Sequence, residues 1–176
     1  RFPKRYLSKY GQLMEHSPFC ERDIRPPQDL MTFDENGDFL IKAKKKGMSH
    51  ILFVDHDMFF PPVGEKSKSP LHCLIDQDKD IIGAPYNFRQ FPLRSTAIPL
   101  GSEPINNEYR IDPATLPKEP FKCVTLGTGF LLIKLSVFDN IPEPWFVFGR
   151  NKEGELVQGE DTYFCVQARK AGYDIW

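Results

Sequence analysis

Residues 51–58 read Ile51-Leu52-Phe53-Val54-Asp55-His56-Asp57-Met58, and the interpretation of this stretch decides the fold. Four apolar residues run directly into two carboxylates one residue apart. A short unbroken apolar run predicts a strand buried on both faces, as found inside mostly parallel sheets. In open sheets of that class, ligands gather outside the carboxyl ends of the strands, which is where Asp55 and Asp57 fall. Residues two apart in extended chain point to the same side, so both carboxylates can face one cation or one polar ligand. Hard oxygen donors suit magnesium, calcium or manganese, with a bound diphosphate completing the shell. The alternative makes Asp55 a turn cap and Asp57 the start of a helix. Pro61-Pro62 stands against it, falling where that helix would begin.

Working outward, Asp34 or Asn36 caps a helix predicted over 37–46, with Phe39, Leu40 and Ala43 as its apolar stripe and Gly47 as its stop. The lysines at 42 and 44–46 sit in its last turn, where cations complement the helix dipole. Residues 1–36 carry four prolines and no clean period, and predict a short helix near 7–14 followed by irregular chain. On the other side, Ser69-Pro70 signals a helix start, with Leu71, Leu74 and Ile75 facing inward. Asp80–Ala84 reads as a second buried strand. Residues 85–120 hold seven prolines and no sustained period. They predict a long irregular loop, placed as a lid or acceptor surface.

The stretch Lys122–Lys134 predicts two β segments joined at Gly127-Thr128-Gly129, where glycines permit a bulge or a close backbone approach to a ligand, and spacing alone leaves a purely structural bulge equally open. Ser136 opens a short helix ending before Pro142. Trp145–Phe148 reads as a strand and 151–154 as a turn. A helix opens at Glu160-Asp161 and closes at Gly172, with Phe164, Ala168 and Ala171 on one face. Acidic residues in a first turn are ordinary dipole complements, so position alone leaves the role of Glu160 and Asp161 open. Tyr173–Trp176 completes an α/β pattern as a last strand.

Composition narrows the classes. The 176 residues are 40% hydrophobic and 27% charged with a net charge of −1, which suits one domain with a real core and argues against a general affinity for nucleic acid. No apolar run approaches the roughly 18 residues of a membrane span, and no signal peptide is visible. Cys20, Cys73, Cys123 and Cys165 are too far apart for a zinc ribbon or redox pair, and read most simply as buried free thiols of a reducing, cytoplasmic compartment, with disulfides as the open alternative. Peripheral membrane association stays open. The chain opens on Arg1 and stops at Trp176, directly after an apolar stretch, which leaves open whether it is a fragment, N-terminally incomplete.

Four blocks then carry a resemblance: Phe53–Pro62, with its D-x-D at Asp55 and Asp57; Asp78–Tyr86; Gly127–Lys134; and Gly159–Cys165 followed by Ala171–Trp176. In this order, within residues 37–176, they resemble GT-A fold glycosyltransferases of the family 2 kind, bacterial and phage type. The resemblance implies an α/β fold with a mostly parallel central sheet flanked by helices, forming a single glycosyltransferase-like domain over 1–176. It implies a nucleotide-sugar donor, UDP- or GDP-linked, and a divalent cation, manganese or magnesium. Asp57 and Asp55 would hold the metal and donor, and Gly127, Thr128 and Gly129 would lie against the donor sugar. Asp161 would be the catalytic base on an acceptor hydroxyl in an inverting transfer. Glu160 and Trp145 would contact sugar or acceptor, although Trp145 reads equally as a packed tryptophan. Two rival readings are a non-catalytic sugar or nucleotide binder and a haloacid-dehalogenase-type phosphatase, whose nucleophile motif is also an apolar strand ending in D-x-D.

Overall fold

The computed structural model describes residues 5–7, 13–15, 43, 45, 47–55, 58–60, 68–89, 91–102 and 111–176. Within them, β1 (Arg5–Leu7) and β2 (Leu13–Glu15) form a small antiparallel pair, where a short helix is expected from sequence. The centre is a three-stranded sheet in the order β3 (His50–Val54), β7 (Phe130–Lys134), β4 (Ile81–Gly83). Strand β7 runs antiparallel to both neighbours, pairing Val54 with Phe130 and Gly83 with Leu131. Two further antiparallel pairs join β5 (Ile98–Pro99) to β6 (Cys123–Thr125) and β8 (Gly149–Arg150) to β9 (Leu156–Gln158).

The expected GT-A fold with its mostly parallel central sheet is therefore not what forms: every strand ladder among the described residues is antiparallel. The apolar run misleads because it reports two-sided burial, not strand direction. Phe53, Ile81, Leu131 and Ile133 point to one core cluster, and Leu52, Ile82, Phe130 and Leu132 to a second on the opposite face. Side chains alternate along a strand, so a sheet covered on both faces needs apolar residues at every position, whichever way its strands run.

Helix α2 (Glu160–Lys170) covers the first face with Phe164, Cys165 and Ala168, all buried, while Ala171 lies exposed beyond its end. Phe164 stacks on Phe146 at 4.9 Å between ring centroids, and Phe146 reaches Phe53 at 5.3 Å, so aromatic rings connect helix to sheet. Helix α1 (Pro70–Ile75) covers the second face with Leu71 and Leu74. It starts as the sequence predicts, Ser69 accepting from the His72 N–H with Pro70 in the first turn. Ile75 departs from expectation and is exposed.

Residues 135–139 form a 3-10 helix. Residues 145–148 are irregular rather than a strand, and the β8–β9 hairpin follows them. Ala43 and Lys45 are helical, and Gly47 ends that segment at φ 70°, with the Met48 N–H on the Ala43 carbonyl at 3.1 Å. The other residues of the helix predicted over 37–46 lie outside the described set.

The last two residues stitch the sheets together. Trp176 N–H donates to Ile81 C=O at 3.2 Å and its carbonyl accepts from Gly83 N–H at 2.9 Å. On the other side Cys123 N–H donates to Ile175 C=O at 2.7 Å. Cys73, Cys123 and Cys165 are free thiols, two of them buried and Cys73 exposed. No helix among the described residues is long and apolar enough to cross a membrane.

Candidate functional site

The segment Gly127-Thr128-Gly129 passes from β6 in one sheet to β7 in the other, and all three residues are buried. One end meets Asp55, and the other meets the helix that carries Asp161. At one end Asp55, the first residue beyond β3, donates its N–H to the Gly129 carbonyl at 2.9 Å and so extends the β3–β7 ladder by one bond. The Asp55 carbonyl then accepts from Met58 N–H at 3.1 Å, turning the chain directly after the strand. Its carboxylate Oδ1 is shielded from solvent.

At the other end, the Cys165 thiol donates to the Leu126 carbonyl at 3.6 Å, seating the second turn of α2 on the residue before Gly127. Asp161 lies four residues earlier in the same helix, hence on the same face. Burial pushes the Cys165 thiol up to about 12, and the nearby Asp161 carboxylate pushes it the same way. Asp161 Oδ1 accepts from Thr162 N–H at 2.6 Å, anchoring the carboxylate at the start of its own helix. Here the helix dipole favours negative charge. Glu160 precedes it, half-buried.

Gly127 and Gly129 are glycines because of Tyr86. A Cβ on Gly127 would stand 2.5 Å from the Tyr86 hydroxyl, and one on Gly129 would stand 2.6 Å from its ring. The hydroxyl also accepts the Gly129 N–H at 3.0 Å. The close approach at these glycines, expected from a ligand, is made instead by an aromatic side chain of the protein, 43 residues earlier in the chain. Tyr86 closes one of the resembling blocks, after Gly83-Ala84-Pro85, yet nothing in its own neighbourhood points to the glycine turn. The available signal was the pair of glycines flanking one threonine, a pattern that asks what fills the space.

Asp57 and His56 lie outside the described residues. Trp145 is half-buried, with its indole N–H on the Ile141 carbonyl at 2.9 Å and its ring edge-on to Phe138 at 5.4 Å, so it packs against the core. Among the described residues no group of three or more His, Cys, Asp or Glu is placed to hold a metal ion. The structure thus joins Asp55 to Gly129 at one end of the turn, seats the helix that carries Asp161 on Leu126 at the other, and sets Trp145 into the packing.

No family profile and no curated protein matches this chain. Among solved structures it is similar to A197 from STIV, at 16% identity and a TM-score of 0.45, covering 81% of this chain and 66% of that one.

Proposed function

We propose that this chain transfers a sugar from a nucleotide-diphosphate sugar to an acceptor hydroxyl, with Asp161 as the base. The observation that supports the reading is that Asp55 and the helix carrying Asp161 meet opposite ends of one buried Gly-Thr-Gly turn, although 106 positions separate the two residues in the sequence (161 minus 55). Two carboxylates divided in this way suit a division of labour, one toward the donor and one toward the acceptor.

In the proposed step an Asp161 carboxylate oxygen takes the proton of the acceptor hydroxyl. The acceptor oxygen forms its bond to the anomeric carbon as the bond from that carbon to the diphosphate oxygen breaks. The nucleotide diphosphate departs with the electron pair, and the anomeric centre inverts. Asp55 is an oxygen donor of the type a hard cation takes, and Asp57, one residue beyond His56, is proposed to complete the pair. When bound, manganese or magnesium would offset the charge growing on the departing diphosphate.

One observation favours the binding-only reading: Tyr86 fills the space beside Gly127 and Gly129 that a donor sugar would need there. A single experiment separates the two. Calorimetric titration of UDP and GDP, with and without manganese, measures donor binding, and a transfer assay on the corresponding sugar donors measures chemistry. We expect manganese-dependent binding of one nucleotide, and a fall in transfer of about 10²- to 10⁴-fold in Asp161→Asn with binding retained. Nucleotide binding without transfer in the unaltered chain would establish the binder. Transfer at an unchanged rate in Asp161→Asn would remove it as the base.

A further inference from the structure

Tyr86 stands at the base of a hairpin that the site does not use. Tyr86 C=O accepts from Thr96 N–H at 2.8 Å and from the Thr96 hydroxyl at 2.9 Å. One step outward Asn87 bridges Ser95, and Phe88 N–H donates to Arg94 C=O at 2.8 Å. The legs are tied by their own main chain, and Ser95 at the inner end is buried. Beyond these bonds the tip projects Phe88 (47% exposed), Phe91 (91%) and Leu93 (44%). Phe91 is the most exposed large hydrophobic residue described.

Three large apolar side chains within six residues, on a hairpin whose legs are bonded to each other, cannot be explained by the fold they leave. A lone exposed apolar residue is ordinary, whereas a cluster on one projection marks a contact. The charge around them narrows the partner. From Pro85 to Ser102 the sequence contains Arg89 and Arg94 and no Asp or Glu, in a chain whose overall net charge is −1. Aromatic and aliphatic side chains flanked by two arginines match an anionic lipid surface. The rings enter the headgroup boundary and the guanidinium groups stay with the phosphates.

We propose that the 86–96 hairpin is a membrane-docking tip that inserts Phe88, Phe91 and Leu93 into the interface of an anionic bilayer, with Arg89 and Arg94 on the lipid phosphates. This docking does not depend on the chemistry proposed above, since it uses none of the same side chains. Its geometry nonetheless matters to the site: Tyr86 joins the hairpin to the Gly127–Gly129 turn, so docking would hold that turn at a fixed height over the surface.

The test is co-sedimentation of the full chain with vesicles of phosphatidylcholine alone and of phosphatidylcholine with phosphatidylglycerol. Pelleting with the anionic vesicles, weakening as salt rises, is the expected result. Phe88→Ser/Phe91→Ser/Leu93→Ser should lower the affinity by about tenfold or more, and Arg89→Gln/Arg94→Gln by about tenfold with loss of the anionic preference. Unchanged circular dichroism melting of both variants checks that the fold persists. Failure to pellet with either vesicle, or equal pelleting of both variants and the parent, overturns the proposal. So does a dimer in sedimentation velocity that the triple serine variant disperses while vesicles bind nothing, because the tip would then serve a second copy of this chain.

Discussion

Asp55 and Asp161 approach the same turn from regions built on different principles. The Asp55 region is a sheet junction: its main chain is locked to Gly129, and both faces of its strand carry a packed core. The Asp161 region is a helix start, where Gly159 provides the cap without a side-chain hydrogen bond and the carboxylate folds onto its own main chain. The first is held by tertiary structure, so what perturbs it should cost stability. The second is held by local geometry, so small changes there should move the carboxylate while the fold survives.

Two glycine substitutions pull these regions apart most strongly. Gly129→Ala drives a methyl group into the ring of Tyr86, at 2.6 Å, and a ring packed at a sheet junction has little room to retreat. We expect a loss of about 1–3 kcal/mol, read as a lower midpoint in urea. At Gly159 the added Cβ would meet Asp161 Oδ1 at 2.8 Å, the far end of a flexible side chain. Here the expected cost is about 0.5–1 kcal/mol, mostly from alanine's poor capping, with a disproportionate fall in transfer because the carboxylate must swing away. Equal stability losses at the two positions would erase the distinction.

A smaller effect tracks the seating of α2. Burial raises Cys123 and Cys165 to about 12, whereas Cys73 is exposed on α1. Cys73 should react readily with an aromatic disulfide reagent, and Cys165 on the order of a hundredfold more slowly until the chain unfolds. Mass mapping that finds Cys165 modified alongside Cys73 would show the start of α2 lifting from Leu126.

The smallest effect belongs to the far end of β3. Burial first, and the Lys134 charge second, hold His50 below its ordinary 6.5, against a raising pull from Asp78. The unfolded chain therefore takes the proton first as pH falls through about 6.5. Stability declines from there toward the lower folded value, and the full loss is present below it. His50→Gln should flatten melting temperature between about pH 7 and 5, and a slope unchanged by the substitution would assign the dependence to other groups.

Much of this was legible in the chain. Ser69-Pro70 announced α1, Gly47 and Gly172 closed their helical segments, and Gly127-Thr128-Gly129 marked the join between two β segments. These signals are local: a cap, a positive φ, a side chain too large to fit. Strand direction is not local. Ile51–Val54 is apolar at every position because two core clusters sandwich it, and an antiparallel neighbour buries such a run as well as a parallel one. The 85–120 stretch also misread. Its prolines hid a hairpin whose closing bonds join Tyr86 to Thr96 and Asn87 to Ser95, ten and eight positions apart, without the alternation that identifies longer strands. The resemblance named Asp55 and Asp161 one by one. That a single turn lies between them could be learned only from coordinates.

The interlock of Tyr86 with its two glycines has an evolutionary corollary. While position 86 keeps a tyrosine, drift at 127 or 129 is closed to every residue larger than glycine, since even a methyl collides with the ring. Were 86 to shrink, the same volume would open and both glycines would be released from constraint at once. Descendants of this chain should therefore inherit the three positions as one character, changing together or staying as they are.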